Sequence, residues 1–257
     1  MATVISFVNS KGGVGKTTLT YNIAFAIQEH TSSNCLLIDL DSQGSLSSTF
    51  LDDIHDMDQT LADILPEDGK PISDVILDTE FDGIDLVPAN IDLERINIHL
   101  AGDIDAPYYL ADKLEDLDGD YDFVIIDCPP YIGLVTRMAL TASHGIIIPL
   151  EAASYSVRST GYIHELIQKV QKRANPQLEI LGYAINRYKG VRKIEQQYAQ
   201  LIFQNFGPKM FETIVKDSTK YCECVAKKTP ITQYQRTSEQ ADAVRKLASE
   251  ILERIDG

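Results

Sequence analysis

Residues 6–18, SFVNSKGGVGKTT, limit the possible folds of this 257-residue chain more than any other segment. An apolar run leads into three glycines, and a stretch with helical periodicity follows them. A glycine-rich loop between a buried strand and a helix lets consecutive backbone N–H groups point at one anion, and the positive end of the helix strengthens that site. The segment therefore predicts a phosphate-binding loop on an α/β fold.

The side chains of this loop suit a nucleotide. Lys16 supplies a positive charge for β- and γ-phosphates, and the Thr17 hydroxyl can bind Mg²⁺. The usual spacing G-x-x-x-x-G-K-[ST] would place glycine at position 10, where this chain has serine, and a second lysine, Lys11, follows it. The predicted phosphate-loop residues are Lys11, Gly12, Gly13, Val14, Gly15, Lys16, Thr17 and Thr18.

Short apolar runs rich in β-branched residues recur along the chain, and most are continuous, which is typical of strands buried on both faces. These runs lie at 4–8, 35–38, 84–87, 123–126, 146–148 and 180–185. Segments with helical periodicity lie at 17–29, 134–142, 156–173 and 238–255. The alternation of strand and helix predicts a single α/β domain over residues 1–257, with a doubly wound, mostly parallel sheet covered by helices on both faces.

Two Asp-rich stretches, 52–82 and 103–122, contain few apolar residues, and we expect surface loops and short helices there. The helix predicted at 238–255 has an apolar stripe and a polar face of mixed sign. Helices that adsorb to membranes favour a basic polar face. We therefore expect this helix to pack against the body of the protein.

Aspartates follow two of the predicted strands. Asp39 and Asp41 lie where the strand at 35–38 runs into a loop, at the carboxyl edge of the sheet where ligand sites of α/β proteins form. A carboxylate at Asp41 can orient a water molecule on a γ-phosphate. Asp127 ends an apolar run, where a buried charge is costly without a partner such as Mg²⁺. The predicted magnesium site comprises Thr17, Asp39 and Asp127.

Four motifs in order resemble those of the ParA/MinD family of deviant-Walker P-loop ATPases, and more closely its ParA (Soj-like) partition branch. They are SKGGVGKTT at 10–18, LIDLDSQG at 37–44, VIIDCPP at 124–130, and IPL at 148–150 followed by Tyr155. The resemblance covers essentially the whole chain. Later residues, YCEC at 221–224 and TPI at 229–231, resemble part of the nucleotide pocket of the partition branch, with two cysteines where alanine or serine is usual.

The resemblance implies a slow ATPase that acts as a molecular switch, with ATP and Mg²⁺ as cofactors and with Lys11, Lys16 and Asp41 as its catalytic residues. It also implies that Asp39 acts on the metal indirectly or as a switch residue. Lys11 would reach across a twofold axis to the ATP of a second copy, which gives a nucleotide sandwich homodimer. Further nucleotide contacts are predicted at Asn186, Arg187 and Pro230. A ParB-like or cargo-adaptor protein would stimulate hydrolysis and release the dimer, so that a plasmid, chromosome or other cargo is segregated or positioned.

The net charge of −15 is unevenly distributed. Residues 1–130 contain 5 Lys and Arg against 26 Asp and Glu, whereas residues 131–257 contain 18 against 12. Such an acidic chain is not typical of nucleic-acid binders, but residues 187–228 are locally basic, with 9 basic residues against 4 acidic ones. The residues predicted to bind DNA phosphates non-specifically, called the basic set below, are Arg187, Lys189, Arg192, Lys193, Lys216, Lys220, Lys227 and Lys228.

Two other classes share the phosphate loop. A MinD-like ATPase that cycles on a membrane, for cell-division or organelle positioning, would need a basic amphipathic tail, which the mixed-sign segment 238–255 does not supply. An iron–sulfur reductase of the nitrogenase-iron-protein type needs ligating cysteines, and Cys128 has no evident partner. With no leader and no apolar stretch of about 20 residues, we expect a cytoplasmic protein without stable membrane association, located on the nucleoid when ATP is bound.

Overall fold

The computed structural model describes residues 2–55, 57–117, 119–153 and 156–257, with side chains except those of 156–159. Within these residues, seven strands form one sheet. They are β1 (Thr3–Phe7), β2 (Cys35–Asp39), β3 (Leu77–Asp78), β4 (Ile84–Val87), β5 (Phe123–Asp127), β6 (Gly145–Leu150) and β7 (Glu179–Ile185). The order across the sheet is β3-β4-β2-β5-β1-β6-β7, and only the β3–β4 pair is antiparallel.

Helices connect and cover these strands. They are α1 (Lys16–Thr31), α2 (Asp92–His99), α3 (Tyr109–Glu115), α4 (Leu134–Ala142), α5 (Ser156–Arg173), α6 (Lys193–Phe206), α7 (Thr219–Ala226), α8 (Ile231–Tyr234) and α9 (Glu239–Asp256). The start of α9 shows how the sequence sets a helix boundary, because the Ser238 hydroxyl accepts from the Ala241 N–H at 3.2 Å as an N-cap. None of the helices within the described ranges is long and apolar enough to cross a membrane.

The sheet separates two hydrophobic cores, because successive strand residues point to opposite faces. On β5, Ile126 packs into the core beneath α4 and α5, while Ile125 packs into the core beneath α1 and α9. The apolar stripe of α9, which includes Val244 and Ile251, is buried in this second core. Continuous apolar strands are therefore required here, because both faces of each central strand are covered.

The predicted fold class is confirmed, and the six predicted strands and four predicted helices are all present. Other features differ from the sequence-based expectation. The short antiparallel edge strand β3 was not predicted, nor were several helices, among them the 14-residue α6 and the shorter α2 and α7. The Asp-rich stretches do form 3-10 turns and α3, but they also supply core residues, among them Leu65 and Leu110. Scattered apolar residues in short turns carry no periodic signal, which is why this contribution was missed.

The strand order locates the candidate site. From the central strand β1 the chain moves outwards to β2 on one side, and later from β5 across β1 to β6 on the other. Such a reversal leaves a crevice at the carboxyl ends of the strands. Asp127 lies opposite Phe7 on one side and Asp39 on the other, so both aspartates end their strands beside the loop that follows β1.

Candidate nucleotide-binding site

The phosphate loop is shaped by its own backbone and by the end of β7. Gly15, which precedes α1, has a φ of 83°, in the left-handed region that favours glycine. A Cβ at this position would lie 2.4 Å from Nδ2 of Asn186. The same amide nitrogen donates to the Val14 carbonyl oxygen at 2.8 Å. Both the turn and the close approach of Asn186 therefore require glycine here.

Arg187 holds the same loop from the side. Its Nη1 donates to the Gly13 carbonyl oxygen at 2.6 Å, and its Nε lies 3.5 Å from the Asp217 carboxylate. The residue has a φ of 54°, uncommon outside glycine, and its N–H donates to Asn186 Oδ1 at 2.9 Å. The structure thus places Asn186 and Arg187 against the phosphate loop, while their contact with a nucleotide stays a prediction.

Lys16 is the first residue of α1, and only 7% of it is exposed. Its Nζ lies 3.5 Å from the Lys11 carbonyl oxygen. Burial lowers the pKa of this ammonium, and the nearby charge of Asp127 opposes that shift. A buried cation at the start of a helix gains stability from an anion, which the positive end of the helix also favours.

Asp39 and Asp127 form a pair of nearly fully buried carboxylates on neighbouring strands. Burial raises the pKa of Asp39 to about 6. Burial and the charge of Asp39 raise the pKa of Asp127 to about 8. Two adjacent buried carboxylates need a nearby cation to keep both ionised.

Asp127 is also linked to α1 by hydroxyl groups. Thr17 Oγ1 donates to Asp127 Oδ2 at 2.6 Å, and Thr20 Oγ1 lies 3.3 Å from Oδ1. A hydroxyl that donates its proton in this way keeps its lone pairs for a metal. Hydroxyl, carboxylate and phosphate oxygens are the ligands that Mg²⁺ prefers, so Thr17 and Asp127 fit a magnesium ion beside a phosphate.

Asp39 has a different environment, because both of its oxygens accept hydrogen bonds from the segment after β2. Oδ1 accepts from the Asp41 N–H at 3.0 Å, and Oδ2 accepts from the N–H and the hydroxyl of Ser47, each at 2.8 Å. Asp41 itself is half-buried at the same edge, and its Oδ1 accepts from the Gln43 N–H at 3.1 Å. Asp39 thus fixes the turn that carries Asp41, and direct binding of a metal would compete with these donors.

Comparisons with known proteins agree with this geometry. A family model described as an AAA domain matches residues 2–180. The chain is 32% identical to the sporulation initiation inhibitor protein Soj of Bacillus subtilis, over 98% of this chain and 98% of that protein. It is 31% identical to the chromosome partitioning protein ParA of Caulobacter vibrioides, over 98% of this chain and 94% of that protein. This chain belongs to the ParA/MinD family of P-loop ATPases.

A solved structure is also similar to this ParA/MinD-family chain. Cobyrinic acid a,c-diamide synthase from Mycobacterium smegmatis, solved with a bound ATP analogue and magnesium, matches with a TM-score of 0.86 and 29% identity. The match covers 100% of this chain and 97% of that chain. Family membership makes this protein a nucleotide hydrolase, as its motifs predicted.

The second lysine of the family's phosphate loop lies at the rim of the site. The Lys11 ammonium forms an ion pair with Glu151, the residue after β6, and its side chain is 34% exposed. Asn9 holds the backbone beneath it, because Asn9 Oδ1 accepts from the Lys11 N–H at 2.9 Å and Nδ2 donates to the Pro149 carbonyl oxygen at 2.5 Å. Tyr155, which completed the fourth motif, lies outside the described residues.

The late segment predicted to belong to the nucleotide pocket packs against the first turns of α1. Asn22, fully buried, donates from Nδ2 to the Thr18 carbonyl oxygen at 2.8 Å and accepts at Oδ1 from the Ile231 N–H at 2.8 Å. Pro230 therefore starts α8 beside the phosphate-loop helix. Its predicted contact with the nucleotide is not tested by these contacts.

The basic set is divided between two places. Tyr188 forms an isolated parallel bridge with Lys216, which brings the segments around Arg187 and Lys216 together beside the phosphate loop. Lys193 begins α6 close to this point, after Arg192 as its N-cap. Lys227 and Lys228 instead lie at the far end of α7, about 12 Å from its start at the usual rise per residue.

Acidic neighbours pair with several members of the basic set. Lys189 and Arg187 share Asp217, and Lys216 pairs with Glu239. These contacts lower the local positive charge but are exposed and weak, so a polyanion can replace them. The same holds for Lys228, whose ammonium pairs with Asp52, a residue of the acidic half.

Sequence reasoning missed four residues that build the site, namely Asn9, Asn22, Ser47 and Glu151. Asn9 and Asn22 stand within apolar segments that are buried, and a polar residue in such a run is a usable signal of an internal hydrogen bond. Glu151 lies 140 residues from its partner, so no local pattern could have revealed that ion pair.

Proposed function

We propose that this chain is a ParA-type partition or positioning ATPase, formed by a single domain over residues 1–257. In this proposal ATP assembles a sandwich dimer that binds DNA non-specifically in the cytoplasm, on the nucleoid. A ParB-like or cargo-adaptor partner then stimulates hydrolysis and releases it. The observation that carries the proposal is Lys11, whose ammonium lies on Glu151 at the rim instead of inside the pocket with Lys16.

The nucleotide chemistry follows from residues that the structure brings together. ATP with Mg²⁺ is supported by the diamide synthase structure and by the fit of Thr17 and Asp127 to a magnesium ion. The ion supplies charge stabilisation and orientation for phosphate oxygens. Lys16 and the loop amides bind the β- and γ-phosphates, and Asp41, on the turn after β2, orients the attacking water.

A role in dimerisation would explain why the phosphate loop contains a second lysine, Lys11. Two ammonium groups in one pocket would repel each other, whereas Lys11 at the rim can reach a nucleotide held by a second copy. Its ion pair with Glu151 would be exchanged for contacts with that phosphate, which carries more negative charge. Each site would then be incomplete until two ATP-loaded copies meet, which makes the dimer depend on ATP.

Non-specific DNA binding is proposed for the basic set. Its members at the Tyr188–Lys216 bridge are exposed or half-buried and lie beside the phosphate loop, so dimerisation would double their number on one assembly. Phosphate contacts of this kind supply affinity without reading sequence. The MinD-like alternative gains no support from α9, whose apolar stripe packs inside the protein.

The test is fluorescence anisotropy on a random-sequence DNA duplex, with ATP or ADP, over a series of salt concentrations. Asp41→Ala serves to hold the ATP state, because binding uses the phosphate loop and hydrolysis uses this carboxylate. We expect binding at least about tenfold tighter with ATP than with ADP, and a steep loss of affinity as salt rises.

Lys16→Ala is the matched control, since it should remove the ATP effect without changing the basic set. Equal binding with ATP and ADP, or no binding with ATP at low salt, would contradict the DNA proposal. Anionic vesicles tested in the same way would then report whether a membrane replaces DNA as the matrix.

A further inference from the structure

One buried hydroxyl joins three segments beside Asp41. Ser47 is fully buried and begins a 3-10 turn after the Asp41 loop. Its hydroxyl donates to Asp39 Oδ2 at 2.8 Å and accepts from the Ala89 N–H at 2.9 Å. A serine hydroxyl has one proton and two lone pairs, so a single side chain connects the end of β2, the Asp41 turn and the segment after β4.

The Asp41 turn is also packed closely against that segment. Gly44 has a φ of 59°, and its N–H donates to the Asp41 carbonyl oxygen at 2.8 Å. A Cβ on Gly44 would lie 2.7 Å from the Ala89 carbonyl oxygen. Ala89 thus lies against the turn at two points, Ser47 and Gly44, and leaves no room for a side chain at position 44.

The segment after β4 is itself firmly held. The Leu61 N–H donates to the Pro88 carbonyl oxygen at 2.8 Å, and Ala89 is fully buried. Asn90 Oδ1 accepts from the Asp92 N–H at 3.0 Å at the start of α2. Ala89 therefore has a fixed position, and its N–H holds the Ser47 hydroxyl in place.

We propose that Ser47 is a positioning residue for ATP hydrolysis. Through Asp39 and Ala89, it holds the turn so that the Asp41 carboxylate faces the γ-phosphate. This rests on the proposed function, in which Asp41 orients the attacking water. The hydrogen bonds of the Ser47 hydroxyl go to Asp39 and Ala89, whereas the phosphate loop joins β1 to α1, so we expect nucleotide affinity to be retained without this hydroxyl. Loss of the hydroxyl should lower kcat and leave the affinity for ATP unchanged.

The test compares Ser47→Ala with Ser47→Thr, which keeps the hydroxyl, and with Ser45→Ala, an exposed serine of the same loop. Single-turnover hydrolysis of ATP gives the rate, and binding of a fluorescent, slowly hydrolysed ATP analogue gives the affinity. We expect Ser47→Ala to lose about tenfold or more in rate with affinity within about twofold, because small misplacements of catalytic groups cost this much. The threonine variant should retain more of the rate than Ser47→Ala, and Ser45→Ala should hydrolyse ATP at the original rate.

A double-variant measurement separates positioning from general destabilisation. If Ser47 acts through Asp41, adding Ser47→Ala to Asp41→Ala should change the residual rate by less than about twofold. If Ser47→Ala does not fold, Ser47→Cys keeps a side chain of similar size with a weaker donor and should show the same loss of rate.

Three results would overturn the positioning role. They are an original rate in Ser47→Ala or Ser47→Cys, an equal loss in the Asp41→Ala background, and a loss of affinity that matches the loss of rate. Absence of ATP hydrolysis by the unchanged chain is a separate outcome that contradicts the proposed function itself.

Discussion

The two charged regions of this molecule are organised in opposite ways. At the nucleotide edge, which we define by Lys16, Asp39 and Asp127, the charges are buried, and each has defined partners. In the basic set the charges are mostly exposed and pair loosely with acidic neighbours such as Glu239. A buried charge is tolerated only in one arrangement, while an exposed charge is tolerated in many.

This difference determines how strongly each region responds to a substitution. Removing a residue from the nucleotide edge leaves other buried charges without a partner, so its effect should be large and specific. Removing one residue from the basic set should weaken binding slightly, because the rest of the set and the solvent compensate. Variants of residues in both regions therefore test whether the size of the effect depends on burial and not on charge alone.

Lys16→Ala should have the largest effect. We expect ATP binding to weaken by about 100-fold or more, because the variant removes charge-assisted bonds between a buried lysine and the β- and γ-phosphates. Direct titration with a fluorescent ATP analogue measures this. Lys11→Ala, which removes the same charge from the rim of the same loop, is the matched control and should change affinity by no more than about threefold. Equal effects of the two variants would contradict the assignment of Lys16.

Lys11→Ala should have the next largest effect, on assembly instead of nucleotide binding. We expect dimerisation in the presence of a slowly hydrolysed ATP analogue to weaken at least about 30-fold, since the variant removes one partner of a close charge pair across an interface. Sedimentation velocity over a range of protein concentrations gives the dimer fraction. Lys172→Ala removes an equal charge from the exposed face of α5 and should dimerise normally. A normal ATP-dependent dimer of Lys11→Ala would show that the lysine serves only its ion pair with Glu151.

The fold and the nucleotide edge could be predicted from sequence for the same physical reason. Three sequence patterns are each compatible with few local structures. They are the continuous apolar strands, the loop with three glycines, and the aspartate at the end of an apolar run. The register that places Asp39 opposite Asp127 follows from two such strands being neighbours. The family resemblance then supplied roles that spacing alone does not, such as the reach of Lys11 to a second nucleotide.

Long-range polar contacts could not be predicted in this way. The bond from Ser47 to Ala89 joins residues 42 apart, and that from Asn22 to Ile231 joins residues 209 apart. Neither pair has a periodic or local signature, because the strand order that brings them together is a property of the whole sheet. The ion pairs of the basic set could not be predicted either, because the sequence shows the charge of the set but not which acidic residues lie beside it.

The smallest effect is expected at the basic set, where Lys216→Glu combined with Lys220→Glu reverses two charges. Lys216 exchanges its pair with Glu239 for repulsion, and Lys220 lies in the first turn of α7 beside it. We expect DNA affinity of the ATP-bound form to fall at least about tenfold, and the slope of log affinity against log salt to shrink by about one for each DNA phosphate that the variant no longer neutralises. ATP binding and ATP-dependent dimerisation should be unchanged, because neither residue touches the nucleotide edge.

A second double variant decides whether this loss is local. Lys169→Glu with Lys172→Glu changes the net charge by the same amount on α5, outside the basic set. If DNA phosphates bind at the Tyr188–Lys216 bridge, this control should keep most of the affinity and the original salt slope, because neither lysine belongs to that surface. Equal losses in the two double variants would mean that DNA responds to the net charge of −15 as a whole, and not to a surface formed by the basic set.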